Sequence, residues 1–324
     1  MYCTIFEMEE LLLEHLESAY NIGLKGKPSP CFVNKILEVT KMLQELCHTA
    51  PDSILGAMQL SLNTKYGLIH PLHAGVICEI IAKKMGLSCE QRISLLAGAL
   101  THDIGYYILQ EELSHQAIPV TPRQKVLIEN HCVASEQLLV SLGVADKIWL
   151  DVVRHHHERL DGSGYPDQLK SEQISIHARI LAVADIYSAM IRPKEYRNGS
   201  DVQEALKELF SSRGDKIDLK VAQTFITKLG IYPVGSLVKL VNGEVAVVRS
   251  QSTNMKEPYV MCVVSKMGHP VLKPFTRIVD YGDYRIVGSV FSTNYKWLKA
   301  SLNHLWPKLT YDPNRELKQK EGRD

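Results

Sequence analysis

Two short runs, His102-Asp103 and His155-His156-His157, stand out among the thirteen histidines of the chain. Adjacent residues on a helix point about 100° apart, so a neighbouring pair reaches two metal ions better than one. An aspartate can also bridge, one oxygen to each ion. His73, His131 and Asp185 lie on or beside expected helices of the same stretch. Imidazole and carboxylate donors suit divalent iron, manganese, zinc and similar ions. No cysteine joins the set, which disfavours a closed structural zinc site. The seven groups His73, His102, Asp103, His131, His156, His157 and Asp185 exceed one tetrahedral site and point to two metals. A lone histidine on a partly apolar helix is more often a core residue than a ligand. His15, His48, His70, His115, His177, His269 and His304 are read that way, with His177 the nearest exception.

The elements that must position these groups are mainly helical. Residues 1–64 read as a helical segment: Glu7 to Tyr20 is amphipathic, Lys25-Gly-Lys-Pro28 breaks it, and Ser29-Pro30 starts the next helix. Its expected role is packing or dimerisation, with a sensory or partner-binding role as the alternative. Residues 65–232 continue as helices, with Ile77, Ile80 and Ile81 at helix spacing, Thr121-Pro122 as another start, and further helices over 144–158, 173–190, 201–212 and 219–229. Ligands drawn from several such helices can converge on one core site. The exception is 159–171, where two glycines and a proline forbid regular structure. Residues 233–290 read as a small β-unit around the Asn242-Gly243 hairpin signal, with short β-rich runs over 259–265 and 285–290. Residues 291–306 are expected to close the chain as a helix, and the polar tail to 324 to fray.

The chain has 324 residues, a formal net charge of +1 and 45% hydrophobic residues. That length fits two or three units with a sizeable core. Near-neutral charge argues against a nucleic-acid polymer as partner and leaves room for a small anionic substrate. Seven scattered cysteines without a C-x-x-C pair read as reduced thiols of a cytoplasmic protein. Glutamates interrupt the apolar N-terminus, which excludes a signal peptide, and no run reaches the length of a membrane span.

The string His156-His-Glu-Arg-Leu-Asp-Gly-Ser-Gly-Tyr-Pro166 closely resembles the HHExxDGxGYP signature of HD-GYP domains. Leu100-Thr-His-Asp-Ile-Gly105 looks like that family's HD motif, Ala178-Arg-Ile180 through Ala184-Asp185 like its ARI…AD segment, and Tyr196-Arg197 like its YR ending. The match runs from about residue 69 to 231. The resemblance implies an HD-type helical bundle with an N-terminal helical segment and a small C-terminal β-unit. One metal would take His73, His102, Asp103 and Asp185. The second would take Asp103 as bridge with His131, His156 and His157, and His155 becomes a neighbour. Some members carry a third metal on a glutamate one turn before the first ligand histidine; Ile69 stands there, so two metals are expected. Iron or manganese is the leading expectation, with zinc, nickel or magnesium as alternatives.

The resemblance implies a phosphodiesterase that linearises cyclic di-GMP to pGpG and onward to GMP. A water between the two cations would attack phosphorus, and the metals would neutralise the phosphoryl oxygens. Gly164, Tyr165 and Pro166 would border the substrate, with Arg197 and Lys194 on the second phosphate or a guanine edge. A diguanylate cyclase of the GGDEF type is a candidate partner, as is a second copy of the chain. Glu158 and Asp161 are expected to orient histidine rings, or else to stabilise the loop. One departure matters. The family pattern has lysine after HDIG, and this chain has Tyr106, an uncharged group that can still donate a hydrogen bond. Two alternatives follow: a phosphodiesterase for cyclic GMP-AMP or another nucleotide, or a non-catalytic dinucleotide receptor or docking module.

Overall fold

In the computed structural model the chain is described over residues 2–61, 65–116, 118–191, 202–211, 214–279, 282–290 and 298–310. Strand β1 (Tyr2–Cys3) leads into α1 (Ile5–Gly23), α2 (Pro30–Thr49) and α3 (Pro51–Leu60). Thr4 caps α1 in a capping box with Glu7, and Ser29 caps α2 ahead of Pro30, so the breaks fall where the chain supplies the cap. Then come α4 (Tyr66–Lys84), α5 (Cys89–Thr101), a 3-10 turn (Ile104–Tyr106), α6 (Tyr107–Ser114), α7 (Pro122–Glu129), α8 (His131–Ser141) and α9 (Lys147–His155). An irregular segment leads to α10 (Ile176–Ile191), α11 (Val202–Ser211) and α12 (Leu219–Leu229).

Helix α4 is central. From Tyr66 to Ala82 every residue except Ile80 is buried. A helix that is apolar all round belongs inside a protein. The helices before it are not a separate layer. Ile5, Leu12 and Leu16 of α1 and Phe32, Ile36 and Leu43 of α2 share one continuous apolar core with Leu68, Leu72 and Ile77 of α4 and Leu96 and Leu100 of α5. The boundary expected at residue 64 is therefore a break between helices and not between cores.

The β-unit is a five-stranded antiparallel sheet in the order β5-β4-β3-β2-β6, from β2 (Leu237–Leu240), β3 (Val245–Ser250), β4 (Tyr259–Val264), β5 (Pro270–Arg277) and β6 (Ile286–Ser289). Alternation sorts its faces. Leu237, Val247 and Met261 join the helical core, while Val238, Ala246, Val248 and Val260 form a second small core on the opposite face. Strand β5 escaped the sequence pattern because Pro270 and Pro274 interrupt it. It lies at the sheet edge, where a missing N–H is tolerated.

Of the closing helix expected over 291–306, residues 291–297 lie outside the described residues. The described part, 298–306, holds one helical turn, α13 (Lys299–Leu302), and β7 (Leu309–Thr310) follows, paired with β1. Residues 311–324 lie outside the described residues. Trp306 follows the turn. Its indole packs over Gly56 of α3, where an added Cβ would fall 2.2 Å from the ring, and its Nε1 donates to the Arg249 carbonyl at 3.2 Å. One side chain thus ties the C-terminus to α3 and the sheet. Trp306→Ala is expected to destabilise the protein by about 3–5 kcal/mol. Urea unfolding checks this; an unchanged midpoint would mean that the C-terminal turn is not part of the cooperative unit.

Candidate metal centre

The site begins where α5 ends. Tyr20 of α1 donates its hydroxyl to the Leu100 carbonyl at 2.8 Å, and Trp149 of α9 donates Nε1 to Thr101 Oγ1 at 2.7 Å. The last turn of α5 is pinned from two sides immediately before His102 and Asp103. The chain then tightens into the 3-10 turn, and Gly105 lies against α8. An added Cβ there would fall 2.4 Å from the Ser135 nitrogen, and Gly105 N donates to Ser135 Oγ at 2.9 Å. That approach brings the start of α8, with His131, beside Asp103. Asn130 ends α7 and starts α8.

Donor atoms converge from five helices or their C-terminal ends, α4, α5, α8, α9 and α10. Asp103 sits between two groups. On one side, Oδ2 lies 3.4 Å from His102 Nε2 and 3.8 Å from His70 Nε2; on the other, Oδ1 lies 3.3 Å from His131 Nε2. Asp185 of α10 completes the first group, with Oδ1 2.9 Å from His70 Nε2 and 3.7 Å from His102 Nε2. Its Oδ2 reaches His157 Nδ1 at 4.0 Å. In the second group His131 Nε2 faces His156 Nε2 at 3.1 Å, and the His156 and His157 ring centroids are 4.3 Å apart. His155 turns away, with Nδ1 at Asp151 and Nε2 at Asp167.

His70 stands beside the expected ligand His73 as a second candidate. Among the described residues the clustered donors include His70 and not His73. His73 lies three residues further along the same helix, fully buried, with its ring edge-on to Tyr187 at 6.1 Å. No period on a helix buried all round distinguishes the two positions. One turn before His70 stands Tyr66, whose ring stacks on it at 5.2 Å, so neither candidate has a carboxylate in that place. Cys132 was also missed. Its Sγ lies 3.5 Å from His131 Nε2 and within 4 Å of both His156 nitrogens, although burial pushes its thiol far up and keeps it protonated. Its place directly after His131 was the available signal. His177 does not join the cluster.

The tautomers disclose what the site is built for. His102 Nδ1 meets the Ala99 carbonyl at 2.7 Å, His156 Nδ1 meets the Val153 carbonyl at 2.8 Å, and His131 Nδ1 meets the Ile128 carbonyl. Each bond consumes the Nδ1 proton and leaves Nε2 as the inward atom. Burial and the neighbouring histidines hold His156 well below the usual imidazole range, and burial brings His157 down to about 3. For His102 burial opposes the charged form, but Asp103 and Asp185 outweigh it and push the ring up to about 9. Two ring nitrogens 3.1 Å apart, each with its other nitrogen committed, need a positive charge between or beside them. The buried His102 Nε2 likewise has no hydrogen-bond partner. These residues fit divalent cations.

The loop after α9 walls the site. The Tyr165 ring tilts over His157 with centroids 4.8 Å apart. Gly164 is buried, and an added Cβ there would meet the backbone of Glu158 and Arg159 within 2.6 Å. The glycine lets the loop close on itself. Glu158 accepts from the backbone of Asp167 at 2.7 Å and Leu169 at 3.0 Å, and Asp161 from Ser163, so both carboxylates brace the loop and do not orient rings. Arg154 grips Asp167 through two hydrogen bonds and holds its carboxyl at about 2. Pro166 follows Tyr165 through a cis peptide bond. Tyr106 lies with its ring 4.6 Å from His131 and its hydroxyl 3.3 Å from Asp103 Oδ2. Lys194 and Arg197 lie outside the described residues.

A helical bundle with two imidazole–carboxylate groups sharing one aspartate defines an HD domain. The HD domain family model matches residues 57–221, and the chain belongs to that family. Its His156–Pro166 loop resembles the HD-GYP signature. The chain is 30% identical over 262 residues to a cyclic di-GMP phosphodiesterase of Pseudomonas aeruginosa, covering 79% of this chain and 62% of the relative. It is 26% identical over 234 residues to the cyclic di-GMP phosphodiesterase PdeB of Borreliella burgdorferi, covering 72% and 59%. The chain thus spans about three fifths of these relatives' own length. A 3'3'-cGAMP-specific phosphodiesterase of Vibrio cholerae is 29% identical over 48% of this chain and 36% of its own. Among solved structures, an HDG"Y"P protein from Bdellovibrio bacteriovorus shares the fold with a TM-score of 0.54, at 18% identity over 66% of this chain and 67% of that one. No described helix is long and apolar enough to cross a membrane.

Two outcomes follow. His70→Ala is expected to weaken metal binding by at least about a hundredfold. His73→Ala should keep the metal and lose about 1–3 kcal/mol of folding stability. Metal analysis and urea unfolding of both variants separate them, and the reverse pattern would restore His73 as the ligand. Below about 9 the His102 ring carries the proton that a cation must displace. Manganese affinity should therefore rise about tenfold per pH unit from 7 until it levels near that value. Calorimetric titration at pH 7, 8 and 9 reads the slope, and a flat profile would contradict a charged His102.

Proposed function

We propose that the chain is a metal-dependent phosphodiesterase that opens cyclic di-GMP to pGpG. The observation that carries this reading is the pair of donor groups sharing Asp103: His70, His102 and Asp185 on one side, His131, His156 and His157 on the other. Two divalent cations fit these groups, with iron or manganese favoured by the nitrogen–oxygen donor set. Bound there, they would acidify a water and neutralise charge developing on the phosphoryl oxygens. The chain's own residues do the positioning. Asp103 is held ionised between the groups, where burial is outweighed by His102, His131 and His70. Tyr165 roofs His157 and gives a base or sugar a ring to pack on. Tyr106 offers a neutral hydroxyl beside Asp103, where a phosphoryl oxygen would arrive. The names of the relatives supply the substrate class, and the intact donor set supports turnover over mere binding.

Cyclic GMP-AMP is the second reading. It is favoured by the Vibrio cholerae relative named for that substrate. The test is anaerobic purification, loading with ferrous iron or manganese, and incubation with each dinucleotide, with products resolved by chromatography. The expected result is pGpG from cyclic di-GMP, and loss of at least about a thousandfold in rate for Asp103→Ala. Product from cyclic GMP-AMP alone would select the second reading, and bound metal with no product from either would sink both.

A further inference from the structure

Gln110 is a buried residue of α6 that no metal ligand set includes. Its Nε2 donates to Asp103 Oδ2 at 2.6 Å and to the Tyr106 hydroxyl at 3.0 Å. The amide can stand only this way round. Reversed, Oε1 would press on the Asp103 carboxylate, acceptor against acceptor. In the orientation observed, Gln110 Oε1 is buried with no hydrogen-bond partner. An orphaned buried acceptor is costly, and an apolar side chain of similar size would avoid it. A residue that breaks a local rule at such a place points to function and not to packing.

We propose that Gln110 is a positioning residue that makes Tyr106 a hydrogen-bond donor toward the reacting phosphate. This rests on the phosphodiesterase reading of the site. A phenol has one proton to give and lone pairs to accept with. Gln110 occupies a lone pair, so the phenol proton must point elsewhere. The acceptor in reach is Asp103 Oδ2 at 3.3 Å, longer than an ordinary O–H···O bond. Asp103 is already served at that oxygen by the shorter bond from Gln110. The phenol proton is therefore weakly held and free to turn to a phosphoryl oxygen entering beside Asp103. The Tyr106 ring, tilted against His131, cannot swing away without losing that contact. Tyr106 and Gln110 together form a neutral donor where the family pattern places a lysine.

The test uses the full chain loaded with manganese, and the variants Gln110→Leu, Tyr106→Phe and their combination. Gln110→Leu is expected to keep its metal, to lower kcat on cyclic di-GMP by about tenfold to a hundredfold, and to leave KM within about threefold. Added to Tyr106→Phe, it should cause no further loss, because it acts through the phenol. An equal loss in both backgrounds, an unchanged kcat, or loss of the metal would each overturn the proposal. A second readout needs neither metal nor turnover. In metal-free protein labelled with 3-fluorotyrosine, the fluorine resonance assigned to residue 106 through Tyr106→Phe should shift in Gln110→Leu, and an unmoved resonance would refute the contact. If the wild type opens no dinucleotide, the function reading fails, and the fluorine spectrum alone still decides whether Gln110 holds Tyr106.

Discussion

Three buried imidazoles each commit Nδ1 to a backbone carbonyl three residues earlier: His102 to Ala99, His131 to Ile128 and His156 to Val153. Each bond reuses a carbonyl left over at a helix end or turn, so local backbone geometry sets which nitrogen faces inward. The inward nitrogens then meet one another and two carboxylates in a largely buried space. Such an assembly cannot be neutral in its parts and stable as a whole unless positive charge enters it. Metal-free, a proton on His102 supplies some of that charge. Divalent ions fit the same requirement better, because they satisfy several lone pairs at once.

The rest of the molecule supports that arrangement from unequal distances. Tyr20, far back in α1, fastens the carbonyl two residues before His102, and Trp149 fastens the residue directly before it. Gly105 lets α8 lie against the 3-10 turn, which places His131. The Arg154–Asp167 pair and Glu158 brace the loop that carries Tyr165. The N-terminal helices are thus part of the scaffold of the centre, through the core they share with α4 and α5.

Much of this is legible in the sequence, for identifiable reasons. His102-Asp103 and His156-His157 are adjacent pairs, and Asp185 sits in an ordered motif, so their positions do not depend on helix phase. His70 does. Ile69-His-Pro-Leu-His73 offers two histidines on a helix with almost no polar face, and periodicity cannot say which one turns toward Asp103. Glu158 and Asp161 look like partners for histidine rings by proximity in sequence, but the loop folds back and its own N–H groups claim them. Gln110 left no signal, because an amide on an ordinary helix becomes significant only when its neighbours are known. Strand β5 was hidden by prolines that an edge position forgives.

Strand β1 pairs with β7, so Tyr2 and Thr310 stand opposite each other in one short ladder. Topologically the described chain is almost a closed ring, with its ends joined by hydrogen bonds where a peptide link could run. The Lys25–Lys27 turn is exposed, and an added side chain at Gly26 would meet nothing within 4 Å. A circular permutant of residues 2–310, joined across β1 and β7 and reopened at that turn, would cut the chain at none of the donor groups and not at the pinned end of α5. The order in which the helices are synthesised is therefore separable from the architecture of the site, and permutation offers a direct way to ask which of them must form first.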